Sequence, residues 1–361
     1  MGGRWLWLLL LLLPLGAIAV ELAVRALDAR RGYPPPARAA WYWMFEQDPL
    51  LGYRGRPFGT VSIDPPGLPL NADRIRHDAE GFRDRRSLAD LGAPKGRRLV
   101  LCVGDADTYG LTAGSEERTY PAVLERELRR LSGDPRWVVF NAGLPGYTSH
   151  EALQLLKLRL LKLQPEAVVF MGLRYEHEQV SVFLDEQLDY DDFALRLAPL
   201  PRSRGLDLVM RSVVAGRLVE KWRNRSGQWP RAGRPRRHYG EATLRGTRLY
   251  LDNVALMAEL CRRSNVRLMV ADQPIHFSTC SYGPTMIASV DRMRAALRGL
   301  AASLQVPLLQ AHEGFDWDGV EVRGDMLFAT NEAVLGPLGF ERLALRLAPQ
   351  VLAAAAPGPG R

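Results

Sequence analysis

LVLCVGDADTYG, residues 99–110, is the stretch on which the reading of the fold turns. An unbroken apolar run, LVLCVG, ends in a Gly-Asp pair and then in Ala106. Alternation would mark a strand with one wet face, whereas an unbroken run marks a strand covered on both faces, the habit of parallel sheets. The loop that leaves such a strand is where open α/β sheets place their working residues.

The same alternation of elements extends outward from this strand. YPAVLERELRRL (120–131) carries apolar groups at helical spacing, and WVVFN (137–141) reads as a second strand. SHEALQLLKLRLLKL (149–163) predicts an amphipathic helix, and AVVFMG (167–172) a third strand. Residues 173–246 are less regular, with an acidic stretch, a helix near 206–222 and a basic loop. Regularity returns with helices at 247–264, 286–304 and 338–352 and strands at 266–271 and 306–309. Strands alternating with helices predict a three-layer α/β/α, flavodoxin-like domain over 98–352 with a central parallel sheet, 173–246 being an insertion and 353–361 a flexible tail. Its working loops begin at Gly104, Asn141, Gly172 and Ala271, with a late loop at 325–337.

Ahead of the domain, residues 28–97 are rich in Pro and Gly and read as an irregular lead-in arm. Its Trp41, Tyr42 and Trp43 suit packing of that arm, or else a ligand platform or a membrane-surface contact. The chain of 361 residues is 47% hydrophobic and 24% charged, a balance that favours folding over disorder. Its net charge of +8 is partly local, since KWRNRSGQWPRAGRPRR (221–237) holds seven basic residues and no acidic one. Such a run binds phosphates, anionic headgroups or acidic polysaccharide, or is simply a solvated loop. Nucleic acid is not expected, because no aromatic platform or recognition motif accompanies it. The three cysteines, Cys102, Cys261 and Cys280, lack metal-ligand spacing, the six histidines are scattered, and no metal or cofactor is expected.

At the amino terminus, WLWLLLLLLPLGAIAV (5–20) predicts a membrane segment within residues 1–27. Two readings follow. One is an uncleaved single-pass anchor in the cytoplasmic (inner) membrane with an extracytoplasmic domain. The other is a signal peptide, with Ala17-Ile18-Ala19 as cleavage site, that leaves a secreted or periplasmic chain.

Taken in order, ELAVRAL, DAEGFRD (78–84), GDADTYG, TYPAVLERELRR, NAGLPGYTS and GPLGFERLA make the chain resemble the SGNH, or GDSL-like, hydrolases, in particular their membrane-anchored bacterial members. That resemblance implies a serine nucleophile after Gly-Asp, an oxyanion hole from a glycine and an asparagine, and a late Asp-x-x-His. Here Gly104 and Asp105 match, but the nucleophile position is Ala106. Gly146 matches the oxyanion glycine. Arg174 and Tyr175 follow Gly172-Leu173 where the asparagine is expected. The late motif aligns as Asn331-Glu332-Ala333-Val334, which replaces the acid by Asn331 and the base by Val334.

A methyl group cannot attack a carbonyl, so the resemblance implies a catalytically degenerate member. The fallback candidates are Asp105, His177 and His276, with Asp107, Glu176 and His312 as weaker ones. Ser278 and Thr279 are nearby hydroxyls. Gly146, Arg174 and Asp105 are the candidate binding residues, Arg174 offering a fork suited to carboxylate or phosphate, or else filling the vacated site through an ion pair. The expected function is non-catalytic binding of an envelope glycan, an anionic lipid or a membrane protein complex, beside a polysaccharide-modifying system. The alternative is an esterase or O-acyl hydrolase or transferase with a rebuilt site.

Overall fold

The computed structural model describes residues 3–30, 44–63, 73–92, 96–174, 176, 203–225, 244–275, 284–313, 315 and 335–355. A five-stranded parallel sheet is built from β5 (Arg98–Gly104), β6 (Trp137–Gly143), β7 (Ala167–Met171), β8 (Arg267–Ala271) and β9 (Leu308–Leu309). Its order is β6-β5-β7-β8-β9. From β5 the chain steps outward to β6, then crosses back to β7 on the other side. The reversal makes the carboxyl ends of β5 and β7 the topological switch point, the crevice where such sheets bind ligands.

Both faces of the sheet are covered, as its apolar strands require. On one side Val100, Cys102, Val139 and Val169 pack under α3 (Tyr120–Ser132) and α9 (Pro337–Ala355), with Leu124, Leu128, Phe340, Leu343 and Leu347 buried between them. Each such side chain contributes roughly 1.5–3 kcal/mol by leaving water. On the other side Leu101, Val103, Phe140 and Phe170 meet α4 (Ser149–Leu155), α7 (Leu244–Arg263) and α8 (Pro284–Ser303). The helix expected over 149–163 is regular only through Leu155, then runs through a π turn and a 3-10 turn to Leu163. The helix expected near 206–222 is two, α5 (Arg204–Met210) and α6 (Val213–Arg225).

The lead-in arm is more ordered than its composition predicts. It carries β1 (Phe45–Asp48) paired with β2 (Gly52–Gly55), and β3 (Thr60–Ile63) paired with β4 (Asp73–Arg76), both antiparallel. Met44, Phe45, Leu51, Tyr53 and Ile75 join the core on the α4 side. Gly55 and Gly81 meet so closely that a Cβ on Gly55 would lie 1.7 Å from the Gly81 carbonyl oxygen. Trp41, Tyr42 and Trp43 lie outside the described residues, as do the basic run beyond Arg225 and the tail beyond Ala355.

The amino terminus corrects the sequence reading. α1 (Gly3–Arg30) is a helix, yet among the described residues no helix is long and apolar enough to cross a membrane. The apolar run of 5–20 stops short of the ~20 residues a span needs, and Glu21 and Arg25 follow it. Those charges are engaged with protein. Arg25 Nε donates to Glu21 at 2.8 Å, and Arg25 Nη2 to the Arg211 carbonyl at 3.0 Å. Glu21 accepts the Ser212 hydroxyl at 2.8 Å and the N–H groups of Val213 and Val214 at 2.8 and 3.1 Å, capping α6. The expected membrane helix in 1–27, the anchored family type, the single-pass inner-membrane location and the membrane-bound partners are therefore not sustained.

Candidate functional site

The site is assembled at the switch point. β5 ends at Gly104, where a Cβ would lie 1.9 Å from the Met171 carbonyl oxygen, so only glycine lets the two strand ends meet. Asp105 then caps α2 (Ala106–Tyr109), its Oδ1 accepting the Asp107 N–H at 3.0 Å. This turn aims residue 106 into the structure, and Asp105, Ala106, Asp107 and Thr108 are all 0% exposed. The position that the resemblance gives to the nucleophile is thus a buried methyl group.

The polar groups around it are spent on one another. Gln273, just past β8 and also 0% exposed, sits at the centre. Its Nε2 donates to Asp105 Oδ2 at 3.0 Å and Oδ1 at 3.2 Å, and to Asp107 Oδ2 at 2.6 Å. Its Oε1 accepts the N–H groups of Leu173 and Arg174, both at 2.8 Å. The backbone carbonyl of Gln273 accepts the buried Arg294 Nη2 at 2.7 Å. From the far end of the chain, the Leu335 N–H donates to Asp107 Oδ1 at 2.9 Å, and the Leu335 carbonyl accepts the Thr112 hydroxyl. The segments after β5, β7 and β8 and the entry to α9 therefore meet in one buried network.

Two neighbouring carboxylates out of water cannot both ionise cheaply. Burial first, and then the charge of Asp107, raise Asp105 to about 7, while the Arg174 guanidinium and the Gln273 amide pull the other way. Arg174 is 9% exposed. Its charge lowers Asp105.

A second buried group lies beside the first. Glu176, 0% exposed, accepts the Ser149 N–H at 2.8 Å, and Asn253 Nδ2 donates to the Ser149 hydroxyl at 2.9 Å. Burial raises Glu176 to about 8, outweighing its hydrogen bonds with Ser149. Gly146, buried at φ 81°, takes the left-handed conformation that favours glycine. Its turn is clamped by the arm. The Tyr53 hydroxyl donates to the Pro145 carbonyl, and the Tyr147 hydroxyl donates to the Tyr53 carbonyl at 2.6 Å.

The structure thus brings Asp105, Asp107 and Arg174 together, with Glu176 nearby. His312 lies past β9, its N–H donating to Asp272 at 2.8 Å. His177, His276, Ser278, Thr279, Asn331 and Val334 lie outside the described residues. Sequence reasoning missed Gln273, Ser149, Asn253 and Leu335. Gln273 had one visible signal, its place in ADQP directly after a strand, but an amide carries no charge or motif to single it out. Cys102 and Cys261 are free and buried. Among the described residues no group of three or more His, Cys, Asp or Glu is placed to hold a metal ion.

No family model matches the chain, and no curated protein does. Solved structures do match. They include a lipase/acylhydrolase from Enterococcus faecalis, 13% identical, covering 71% of this chain and 96% of its own with a TM-score of 0.45. A GDSL-like lipase from Bacteroides thetaiotaomicron is 12% identical, with 72% and 90% covered and a TM-score of 0.40. A lipase from a goat rumen metagenome is 13% identical, with 73% and 99% covered and a TM-score of 0.42. The likeness to these SGNH/GDSL-like hydrolases concerns the fold alone.

Proposed function

We propose that this chain is a non-hydrolytic recognition domain on an SGNH-like hydrolase fold, with an envelope glycan as the ligand class that the resemblance suggests. The observation that carries this reading is Ala106. The residue at the nucleophile position is a fully buried methyl, and its flanking carboxylates are already bound to Gln273. Acyl transfer needs a hydroxyl or thiol that a base can deprotonate.

Purified full-length chain should turn over short-chain aryl esters only at the background rate and form no adduct with a fluorophosphonate. Ala106→Ser alone should change neither result, because the new hydroxyl is buried next to carboxylates that already accept other donors. A glycan array on the same sample tests the recognition half. A covalent adduct on any hydroxyl of the wild-type chain would overturn the reading.

One observation favours a hydrolase with a rebuilt site as the second reading. Asp105 beside Asp107 retains a proton near neutral pH, the state that general acid–base chemistry uses. Esterase activity abolished by Asp105→Asn would select it.

A further inference from the structure

We infer that Asp105, Asp107 and Gln273 form a proton-loaded latch that holds the carboxyl ends of β5, β7 and β8 and the entry to α9 together, closing as the pH falls. The geometry carries it. One amide group serves both carboxylates through its two hydrogens, at 3.0 Å and 2.6 Å, while its oxygen takes two N–H groups from the strand β7 side. The amide is fully used, so it has no further donor to offset a second negative charge. A proton on the pair removes that charge and leaves every bond of the network in place.

Among the described residues, charged or titratable groups from several packed elements interact with Asp105. Asp107 stands on its own loop, Arg174 follows β7, Tyr120 opens α3 and Tyr250 lies on α7. The tyrosines are held protonated well above their ordinary value by burial, so they carry no charge here. Arg174 lowers Asp105 but does not bring it back to the ordinary carboxylate range. In an opened state Asp105 meets water and returns to the ordinary carboxylate range. Closing then takes up a proton, and the closed state loses ground as the pH rises from about 4 towards 7.

Four backbone amides report on the latch directly, since the N–H groups of Asp107, Leu173, Arg174 and Leu335 all donate into it. Hydrogen exchange on the unliganded chain, corrected for intrinsic chemistry and referred to amides in the middle of β6, is the test. It is independent of the recognition reading, because no ligand takes part. Protection of the four amides should fall by up to about tenfold per pH unit between pH 5 and 7, then level off. Asp105→Asn cannot ionise, so it should abolish that slope. Its Nδ2 cannot accept one of the bonds now made to the two carboxylate oxygens, so protection should be lower than in the wild-type chain at pH 5 but independent of pH. Gln273→Ala should lower their protection at every pH. The proposal fails if the four amides track the β6 controls in the wild-type chain, a result that needs no variant to fold. It fails equally if Asp105→Asn retains the wild-type slope.

Discussion

The hydroxyl of Tyr109 and Nε2 of His77 lie 2.8 Å apart, joining the loop after β5 to the lead-in arm. His77 Nδ1 lies 3.1 Å from the Arg56 carbonyl oxygen, which can only accept. Nδ1 therefore carries the proton, and the Tyr109 hydroxyl donates to Nε2. Burial pulls His77 down to about 4. Tyr109→Phe removes the donor and leaves a buried acceptor, which should cost about 1–2 kcal/mol in chemical denaturation. An NMR titration should find the His77 imidazole neutral until the pH approaches 4. Its neutral form stabilises the fold above pH 6.5, and that contribution is lost as the pH falls from 6.5 through 4.

Gln273 donates to two buried carboxylates and accepts two N–H groups, so Gln273→Leu takes a donor from each carboxylate and removes the acceptor of the Leu173 and Arg174 N–H groups. Each orphaned buried group costs about 1–3 kcal/mol. The variant should lose at least about 3 kcal/mol of stability at pH 7, read from its urea midpoint at unchanged m-value. A loss below 1 kcal/mol would mean that water reaches these groups and that the network is not closed.

Glu176 gives a pH dependence of the opposite sign to His77. Its folded value of about 8 exceeds its ordinary 4.5, so the folded state holds the extra proton. Stability from this group is greatest below pH 4.5 and declines as the pH rises through 8. Glu176→Gln keeps an acceptor for the Ser149 N–H and removes the titration. The variant should match wild type near pH 4.5 and exceed it at pH 8.5, by on the order of 3 kcal/mol. Equal stability at both pH values would show that Glu176 ionises freely.

These groups also show how far the sequence could be read. The sheet was legible because residues buried on both faces must be apolar in unbroken runs. β5 and β7 are such runs, and their loops had to carry any site. Asp105 and Arg174 were visible as charged residues at strand ends. Gln273 was not, since its importance comes from four partners lying 99 to 168 positions away in the chain. The hairpins of the arm were hidden for a related reason. Phe45 and Tyr53 are held by the domain they pack on rather than by local pattern. The amino terminus misled because the apolar run of 5–20 dominates its hydropathy, while the engagement of Glu21 with the start of α6 comes from residues 191 to 193 positions away and leaves no local pattern.

That cap makes the last prediction. Burial pulls Glu21 upward, but the N–H groups of Val213 and Val214, Arg25 and Ser212 outweigh it and bring the carboxyl to about 2. Because the folded value is depressed, the stabilisation is present above pH 4.5 and is lost as the pH falls towards 2. Glu21→Gln keeps an acceptor but loses the charge that favours a helix amino terminus, whereas Glu21→Ala loses both. Exchange at the Val213 and Val214 amides should therefore quicken modestly in Glu21→Gln and by about tenfold in Glu21→Ala, with the β5–β7 amides unchanged. If Glu21→Ala left Val213 and Val214 as protected as before, α1 would not be what holds the start of α6.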